Sequence, residues 1–362
     1  MTAPLRIDTG AATHRAVPQR IAIVTDAWTP QMNGVVRTLR ETVARLKARG
    51  HEVLVIAPDQ FRSLPCPTYP EIRLALAPPG AVARRLSDFA PDAVHIATEG
   101  PLGLSARRHC LHRRRPFTTA YHTQFPAYVA KRTRLPERLF WRYIRWFHRP
   151  SERIMVATAS IRAELAAQGL ARSHHWSRGV DLAQFTPDAT PPPEYAELAR
   201  PIQLYAGRVA VEKSIEAFLD TEYAGSRVVV GDGPALAELK ARYPDVLFLG
   251  RREGRALASC YAGADVFVFP SRTDTFGLVM IEALACGLPV AAFPVAGPAD
   301  IVTERCGALS DNLARAIDAA LLCEPSDCAG HAAHFSWETA TDQFEAGLVG
   351  AIDASTMPQR LP

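Results

Sequence analysis

Residues 270–283, Pro-Ser-Arg-Thr-Asp-Thr-Phe-Gly-Leu-Val-Met-Ile-Glu-Ala, hold the densest polar chemistry in this chain of 362 residues. Asp274 falls in a loop after the apolar run 266–269, and Glu282 falls in the second turn of a helix predicted to start near Gly277. Eight residues separate the two carboxylates, so a loop acid and a helix acid can meet one extended ligand at two points. Between them, the N–H groups of Phe276, Gly277, Leu278 and Val279 form a helix start that accepts an anion. Two acids beside backbone donors suit the hydroxyls of a sugar and a ribose, which both donate and accept. The alternative is structural, with Asp274 capping the helix and Glu282 on its outer face. Ile281, Ala283, Leu284 and Ala285 around Glu282 argue against a solvated face.

Two cations stand in a comparable place earlier in the chain. Gly207-Arg208-Val209-Ala210-Val211-Glu212-Lys213 follows a predicted strand and opens a helix. Arg208 at the strand end and Lys213 in the first helical turn supply a fork and a point charge suited to a diphosphate. Their alternative is a surface pair with Glu212 or Glu216. In the first half of the chain, Gly34 sits at the mouth of a helix after a strand, where it either lets backbone N–H groups approach an anion or simply makes a tight turn. His122 lies just past a strand; by position alone, a histidine there is more often structural than a ligand contact. No G-x-G-x-x-G follows the first strand, which removes the main support for a dinucleotide enzyme. Gly231-Asp232-Gly233-Pro234 reads as a tight turn.

These residues need a scaffold that brings strand ends together. Short β-branched runs at 21–24, 53–56, 93–96, 117–120 and 154–157 alternate with helical patterns at 35–49, 82–89, 102–112 and 136–148. The alternation restarts with runs at 202–205, 227–230, 246–249, 266–269 and 289–292, and helices at 214–223, 235–242, 256–262 and 278–286. Such patterning predicts an α/β fold of two Rossmann-like, doubly wound domains facing a cleft, with ligands at the carboxyl ends of the strands. The expected organisation is a loose tail at 1–18, a first Rossmann-like domain at 19–185, a proline-rich linker at 186–201, a second Rossmann-like domain at 202–336 and a terminal helix and tail at 337–362. The terminal helix is amphipathic, and its sequence is compatible with packing on either domain.

Composition bounds the class. With 48% hydrophobic and 22% charged residues, the chain is that of a globular protein large enough for two cores. Its best apolar run, 281–297, is broken by Glu282, glycines and prolines, so no segment reads as a membrane span. The first residues carry Asp8 and lack an apolar core, unlike a secretory leader. Seven cysteines without a C-x-x-C predict reduced thiols, a cytoplasmic setting and no zinc site.

The net charge of +4 conceals two opposed halves, +14 over residues 1–190 and −10 over the remainder. A basic half seeks a polyanion: nucleic acid, an anionic membrane or a phosphorylated small molecule. Arg107, Arg108, Arg113, Arg114 and Arg115 form one cluster. Residues 131–149 form another, with seven cations against Glu137 alone, interleaved with Phe140, Trp141, Tyr143, Trp146 and Phe147. Aromatics among arginines on a short helix suit anionic lipid headgroups, or the stacked bases of single-stranded nucleic acid. The plainer alternative is a half-buried helix with a solvated arginine face.

Taken together, Asp274-x₇-Glu282, Gly207-Arg208 with Glu212-Lys213, Gly231-Asp232-Gly233-Pro234, residues 261–271 and Arg178-Gly179-Val180-Asp181 resemble the retaining glycosyltransferases of family 4, which have the GT-B fold. The resemblance runs from about Ile21 to Phe344, with the motifs in the family's order. It implies that Arg208 and Lys213 neutralise the leaving nucleotide diphosphate with the N–H groups of Gly34, Leu278 and Val279. It further implies that Glu282 holds the ribose, that Asp274 and the backbone of Phe276 and Gly277 hold the transferred sugar, and that His122 is the donor-sugar histidine. The base is read near residues 249–251, with Arg251 on the donor side. One departure is Asp274 itself, where the family usually has the longer Glu. The Asp-Thr-Phe-Gly version resembles a subgroup that includes lipid sulfoquinovosyl-, glucosyl- and mannosyltransferases.

The resemblance implies a UDP- or GDP-sugar donor and a hexose moved onto a membrane lipid such as diacylglycerol. Arg138, Trp141, Arg142, Arg145 and Trp146 would then meet an anionic surface on the cytoplasmic side, with no nucleic acid partner and no cofactor. No Asp-x-Asp pair occurs, so cations rather than a metal ion are expected to hold the diphosphate. The alternatives are an α-mannosyltransferase acting on a sugar or glycolipid, a sugar-nucleotide epimerase, and a non-catalytic nucleotide-sugar or polyanion binder.

Overall fold

Ile21, Ala22, Ile23 and Val24 are all fully buried, as expected of a parallel strand covered on both faces by helices. They form an interior strand of the first sheet in a computed structural model that describes residues 18–31, 33–66, 69–122 and 136–350. The N-terminal tail, Met32, Thr123, Gln124, the cations Lys131, Arg132 and Arg134, and the tail after residue 350 lie outside the described residues.

The first domain contains β1 (Arg20–Val24), β2 (Glu52–Ile56), β3 (Ser63–Cys66), β4 (Tyr69–Ala75), β5 (Ala93–Ile96), β6 (Thr118–Ala120), β7 (Arg153–Val156) and β8 (Ser173–His175). Six of these make a parallel sheet in the order β2-β1-β5-β6-β7-β8, and β3 and β4 form an antiparallel hairpin apart from it. The second domain contains β9 (Ile202–Ala206), β10 (Ser226–Val230), β11 (Leu247–Gly250), β12 (Val266–Phe269), β13 (Val290–Ala292) and β14 (Gly307–Leu309). Their order, β11-β10-β9-β12-β13-β14, reverses direction between β9 and β12, which opens a crevice at the strand ends.

Every strand expected from the alternation is present. Those not foreseen carry weak signals: β3 and β4 each contain a proline, β8 is Ser-His-His at a sheet edge, and β14 is three residues of Gly-Ala-Leu. In the proline-rich segment, Tyr195 is buried and its hydroxyl donates to the Cys260 carbonyl at 3.2 Å, so that stretch is moored to the second domain. The helix Trp337–Gly347 returns to the first domain. Phe344 enters the cluster of Ile21, Leu39 and Trp176, while Arg49 reaches Asp342 at 2.7 Å and Glu345 at 2.5 Å. Across the cleft, Ser160 N–H donates to Asp300 Oδ1 at 3.0 Å and the Thr275 hydroxyl to the His122 carbonyl at 2.7 Å. Among the described residues, no helix is long and apolar enough to cross a membrane.

Candidate active site

The helix Gly34–Ala48 begins where Asn33 Oδ1 accepts the Val36 N–H at 3.0 Å. A Cβ placed on Gly34 would stand 3.5 Å from Leu278 Cδ1, so this helix start faces the start of the helix Leu278–Ala285 in the other domain. Gly277 enters that second helix with φ +86°, a left-handed conformation that a side chain would strain, and its Cβ would stand 2.9 Å from Met280 Cε. Met280 N–H donates to the Gly277 carbonyl at 3.0 Å, so the N–H groups of Leu278 and Val279, in the first turn of the helix, precede its first hydrogen bond. Phe276 buries its ring edge-on against Phe335, leaving its backbone as the feature relevant to a ligand.

A cleft of about 1100 Å³ lies between the domains, lined on one side by Asn33, Arg37 and Arg40 and on the other by Gly207, Arg208 and Glu282. Arg208, in the loop after β9, stands 4.0 Å from Glu212, the surface pair that is its alternative, while still lining the cleft. Lys213 ends a short 3-10 turn, Val211–Lys213, rather than sitting inside a longer helix; its Nζ donates to Asp274 Oδ1 at 2.6 Å and Oδ2 at 2.8 Å. The cation expected at the diphosphate and the acid expected at the sugar are thus one ion pair. The glycine turn that reads as mere punctuation is a packing requirement. A Cβ on Gly231, at φ +146°, would come within 1.8 Å of the Gly207 carbonyl, which locks the β10 loop against the Arg208 loop.

Glu282 is 1% exposed. Its Oε1 pairs with Arg37 and its Oε2 accepts from the Tyr261 hydroxyl at 3.2 Å. Burial pushes the carboxyl above its ordinary range, and the Arg37 cation and both hydrogen bonds pull it back. Sequence reasoning missed Arg37 and Tyr261. Arg37 had a signal, since it lies one turn beyond Gly34 on the same helix; Tyr261 is brought to Glu282 only by helix packing. Arg251 lines the cleft and is exposed, with its Nε donating to Glu253 at 2.9 Å.

His122 stands at the end of β6, and its Nδ1 lies 3.0 Å from Arg178 Nη2. Burial and the adjacent Arg178 hold the imidazole well below its usual pKa, so the ring is neutral. On the outer helix Glu137–His148, Arg138, Arg142, Arg145 and Trp146 are exposed. Trp141 corrects the expectation placed on it. It is buried, its Nε1 donates to Glu137 Oε1 at 2.9 Å and its ring stacks on Tyr121, so it belongs to the core and cannot meet a surface.

Two facing Rossmann-like sheets with a cationic cleft at their strand ends are the architecture of GT-B glycosyltransferases. Residues 32–184 match the family described as Glycosyltransferase Family 4, and residues 200–333 match Glycosyl transferases group 1. A GDP-mannose-dependent alpha-mannosyltransferase of Mycobacterium tuberculosis is 33% identical over 309 residues, covering 79% of this chain and 82% of the relative. The sulfoquinovosyl transferase SQD2 of Arabidopsis thaliana is 30% identical, covering 79% of this chain and 62% of its own. An alpha-monoglucosyldiacylglycerol synthase of Streptococcus pneumoniae is 26% identical, covering 84% and 79%. Among solved structures, sucrose-phosphate synthase of Thermosynechococcus elongatus superposes with a TM-score of 0.73 at 20% identity, covering 91% of this chain and 98% of that one, which speaks to the fold. The chain belongs to glycosyltransferase family 4 and is a hexosyltransferase. The epimerase and the non-catalytic binder are set aside.

Proposed function

We propose that this enzyme moves a hexose, with retention of configuration and without a metal ion, from a GDP- or UDP-sugar to a membrane lipid hydroxyl such as that of diacylglycerol. The observation that carries the donor side is one cleft lined by Asn33 and Arg37 of the first domain and by Arg208, Val279 and the buried Glu282 of the second; the Lys213–Asp274 pair is assigned to the same site. Cations and backbone N–H groups there offset the charge that develops on the departing diphosphate. Glu282 takes the ribose hydroxyls. Asp274 and the backbone of Phe276 and Gly277 take the sugar. On the retained face, the bond from C1 to the phosphate oxygen breaks as the bond from C1 to the acceptor oxygen forms, and the acceptor proton passes to that phosphate oxygen. No protein base is then required.

The acceptor side rests on the face of the helix Glu137–His148. Arg138, Arg142, Arg145 and the capping Arg149 recur at helical spacing and are exposed, with Leu139 and Trp146 about half exposed among them. Such a face favours peripheral association with the cytoplasmic surface of an anionic membrane. The glucosyldiacylglycerol synthase among the relatives supports a lipid acceptor. The mannosyltransferase supports a second reading, transfer of mannose from GDP-mannose to a sugar or glycolipid.

The test is a panel of GDP- and UDP-sugars with diacylglycerol-containing anionic vesicles, with and without EDTA, following nucleotide diphosphate release and new glycolipid by mass. Equal glycolipid in EDTA is the expected result. Turnover only with soluble sugar acceptors would overturn the lipid reading and favour the second.

A pH experiment probes the ribose contact. Removing the Arg37 cation lifts the Glu282 carboxyl further above its ordinary range, since Arg37 now lowers it. The carboxylate, rather than the acid, accepts both ribose hydroxyls, so Arg37→Met is expected to bind GDP or UDP more tightly as pH rises from 6 to 8. The wild type should change less over that interval. Calorimetric titrations showing parallel pH profiles would disconnect Arg37 from Glu282.

A further inference from the structure

Arg178 is 5% exposed, and no carboxylate lies within ion-pair distance of it among the described residues. A buried cation without an anion is costly and calls for a compensating role. Its hydrogen bonds fix it tightly. Nη1 donates to the Trp176 carbonyl at 2.7 Å and the Ser177 carbonyl at 3.1 Å, while the guanidinium lies over the Trp176 ring at 4.6 Å. The remaining arm, Nη2, points to His122 Nδ1 at 3.0 Å. Burial lowers the guanidinium pKa to about 9, which leaves it charged at neutral pH.

An arginine only donates. His122 Nδ1 therefore carries the lone pair, and in the neutral ring the hydrogen sits on Nε2. That Nε2 is buried and has no hydrogen-bond partner among the described residues. The Thr275 hydroxyl donates to the His122 carbonyl at 2.7 Å, which ties the backbone that carries the ring to the loop of Asp274. A buried, unpartnered donor beside that loop awaits an acceptor oxygen.

We infer that Arg178 is a positioning residue of the transfer reaction: it holds His122 in the neutral tautomer with hydrogen on Nε2, an obligatory donor to an oxygen of the bound sugar. The inference rests on the donor-sugar reading of His122 and adds the group that sets its chemistry. It also removes His122 as a general base, because the nitrogen available to a ligand has no lone pair. The titratable and charged groups that face the ring among the described residues are Arg178, His95 and His148. His95 is itself held neutral, its pKa lowered to about 3 by burial first and by Arg178 second. Arg178 is thus the cation that governs the ring. The edge of His122 meets the Trp176 ring at 5.5 Å, which limits its rotation.

The experiment is nitrogen-15 NMR of the histidine rings in the full chain, with the His122 signals assigned from their loss in His122→Gln. The wild-type ring is expected to show hydrogen on Nε2 and to remain neutral from pH 8 to 5.5. A ring that carries its hydrogen on Nδ1, or that titrates near 6.5, overturns the inference without any need for an Arg178 variant. In Arg178→Met the ring is expected to sample both tautomers and to titrate at a higher pH than in the wild type.

Transfer by Arg178→Met should fall on the order of tenfold at pH 8, the cost of about one neutral hydrogen bond, with the donor terms moving and the acceptor KM unchanged. The deficit should shrink as pH falls, because an imidazolium again presents a hydrogen on Nε2. Arg178→Lys, which keeps a cationic donor, should recover part of the loss. A deficit independent of pH would mark a merely structural arginine and overturn the inference. If the ring behaves as expected while His122→Gln leaves the donor KM and kcat untouched, the donor-sugar reading fails and the tautomer assignment stands.

Discussion

Lys213→Ala is expected to lower kcat/KM for sugar transfer by on the order of 10²-fold or more, and Arg208→Ala by a similar factor, with the fold retained in both. Each variant removes positive charge from the place where negative charge develops on the departing diphosphate. The Lys213 variant has a second fault that the ion pair makes explicit. Asp274, now accepting from Nζ through both oxygens, would stand unneutralised beside a diphosphate anion. The two residues are therefore coupled, and a Lys213→Ala, Asp274→Asn double variant should lose less than the product of the single losses. Rates of nucleotide diphosphate release, measured in parallel with circular dichroism, check this. Retained turnover in both Arg208→Ala and Lys213→Ala would contradict the roles proposed for them.

Converting Arg138, Arg142, Arg145 and Arg149 to glutamine should release the enzyme from anionic vesicles. At about 1 kcal/mol for each basic residue near such a surface, the partition coefficient is expected to fall by about 10³-fold. The effect should weaken in high salt for the wild type, since these charges are exposed and screened. Trp146→Ala should cost less, because its ring is only about half exposed and is shared with the Arg107 guanidinium, 4.0 Å from its centroid. Trp141→Ala would instead destabilise the fold, so it is not a probe of the surface. Co-sedimentation with vesicles of graded anionic content measures all of this, and binding by the quadruple variant equal to wild type would remove the membrane from the proposal.

Much of this protein is determined by its sequence alone. Buried parallel strands read as unbroken apolar runs, so the two alternations disclosed two doubly wound domains. Strand-end loops are short, so the sequence alone places Asp274, Glu282, Arg208 and Lys213 near the carboxyl ends of strands. Local pattern identified the arginine face of the helix Glu137–His148 but could not sort its aromatics. Trp141 and Trp146 lie five residues apart and point in different directions, one into the core against Tyr121 and the other outward.

What only the tertiary structure decided is pairwise and long-range. Arg37 meets Glu282 from 245 residues away, and Arg178 meets His122 from 56. Lys213 and Asp274 are 61 residues apart, and sequence alone points each at a ligand rather than at the other. The terminal helix chose the first domain because Phe344 finds room beside Trp176 and Asp342 and Glu345 find Arg49. Periodicity reports which side of an element is buried, since that depends on neighbours three or four residues away along the chain. It carries no record of which distant side chain fills the space opposite, because that partner is set by how the sheets and helices stack in three dimensions.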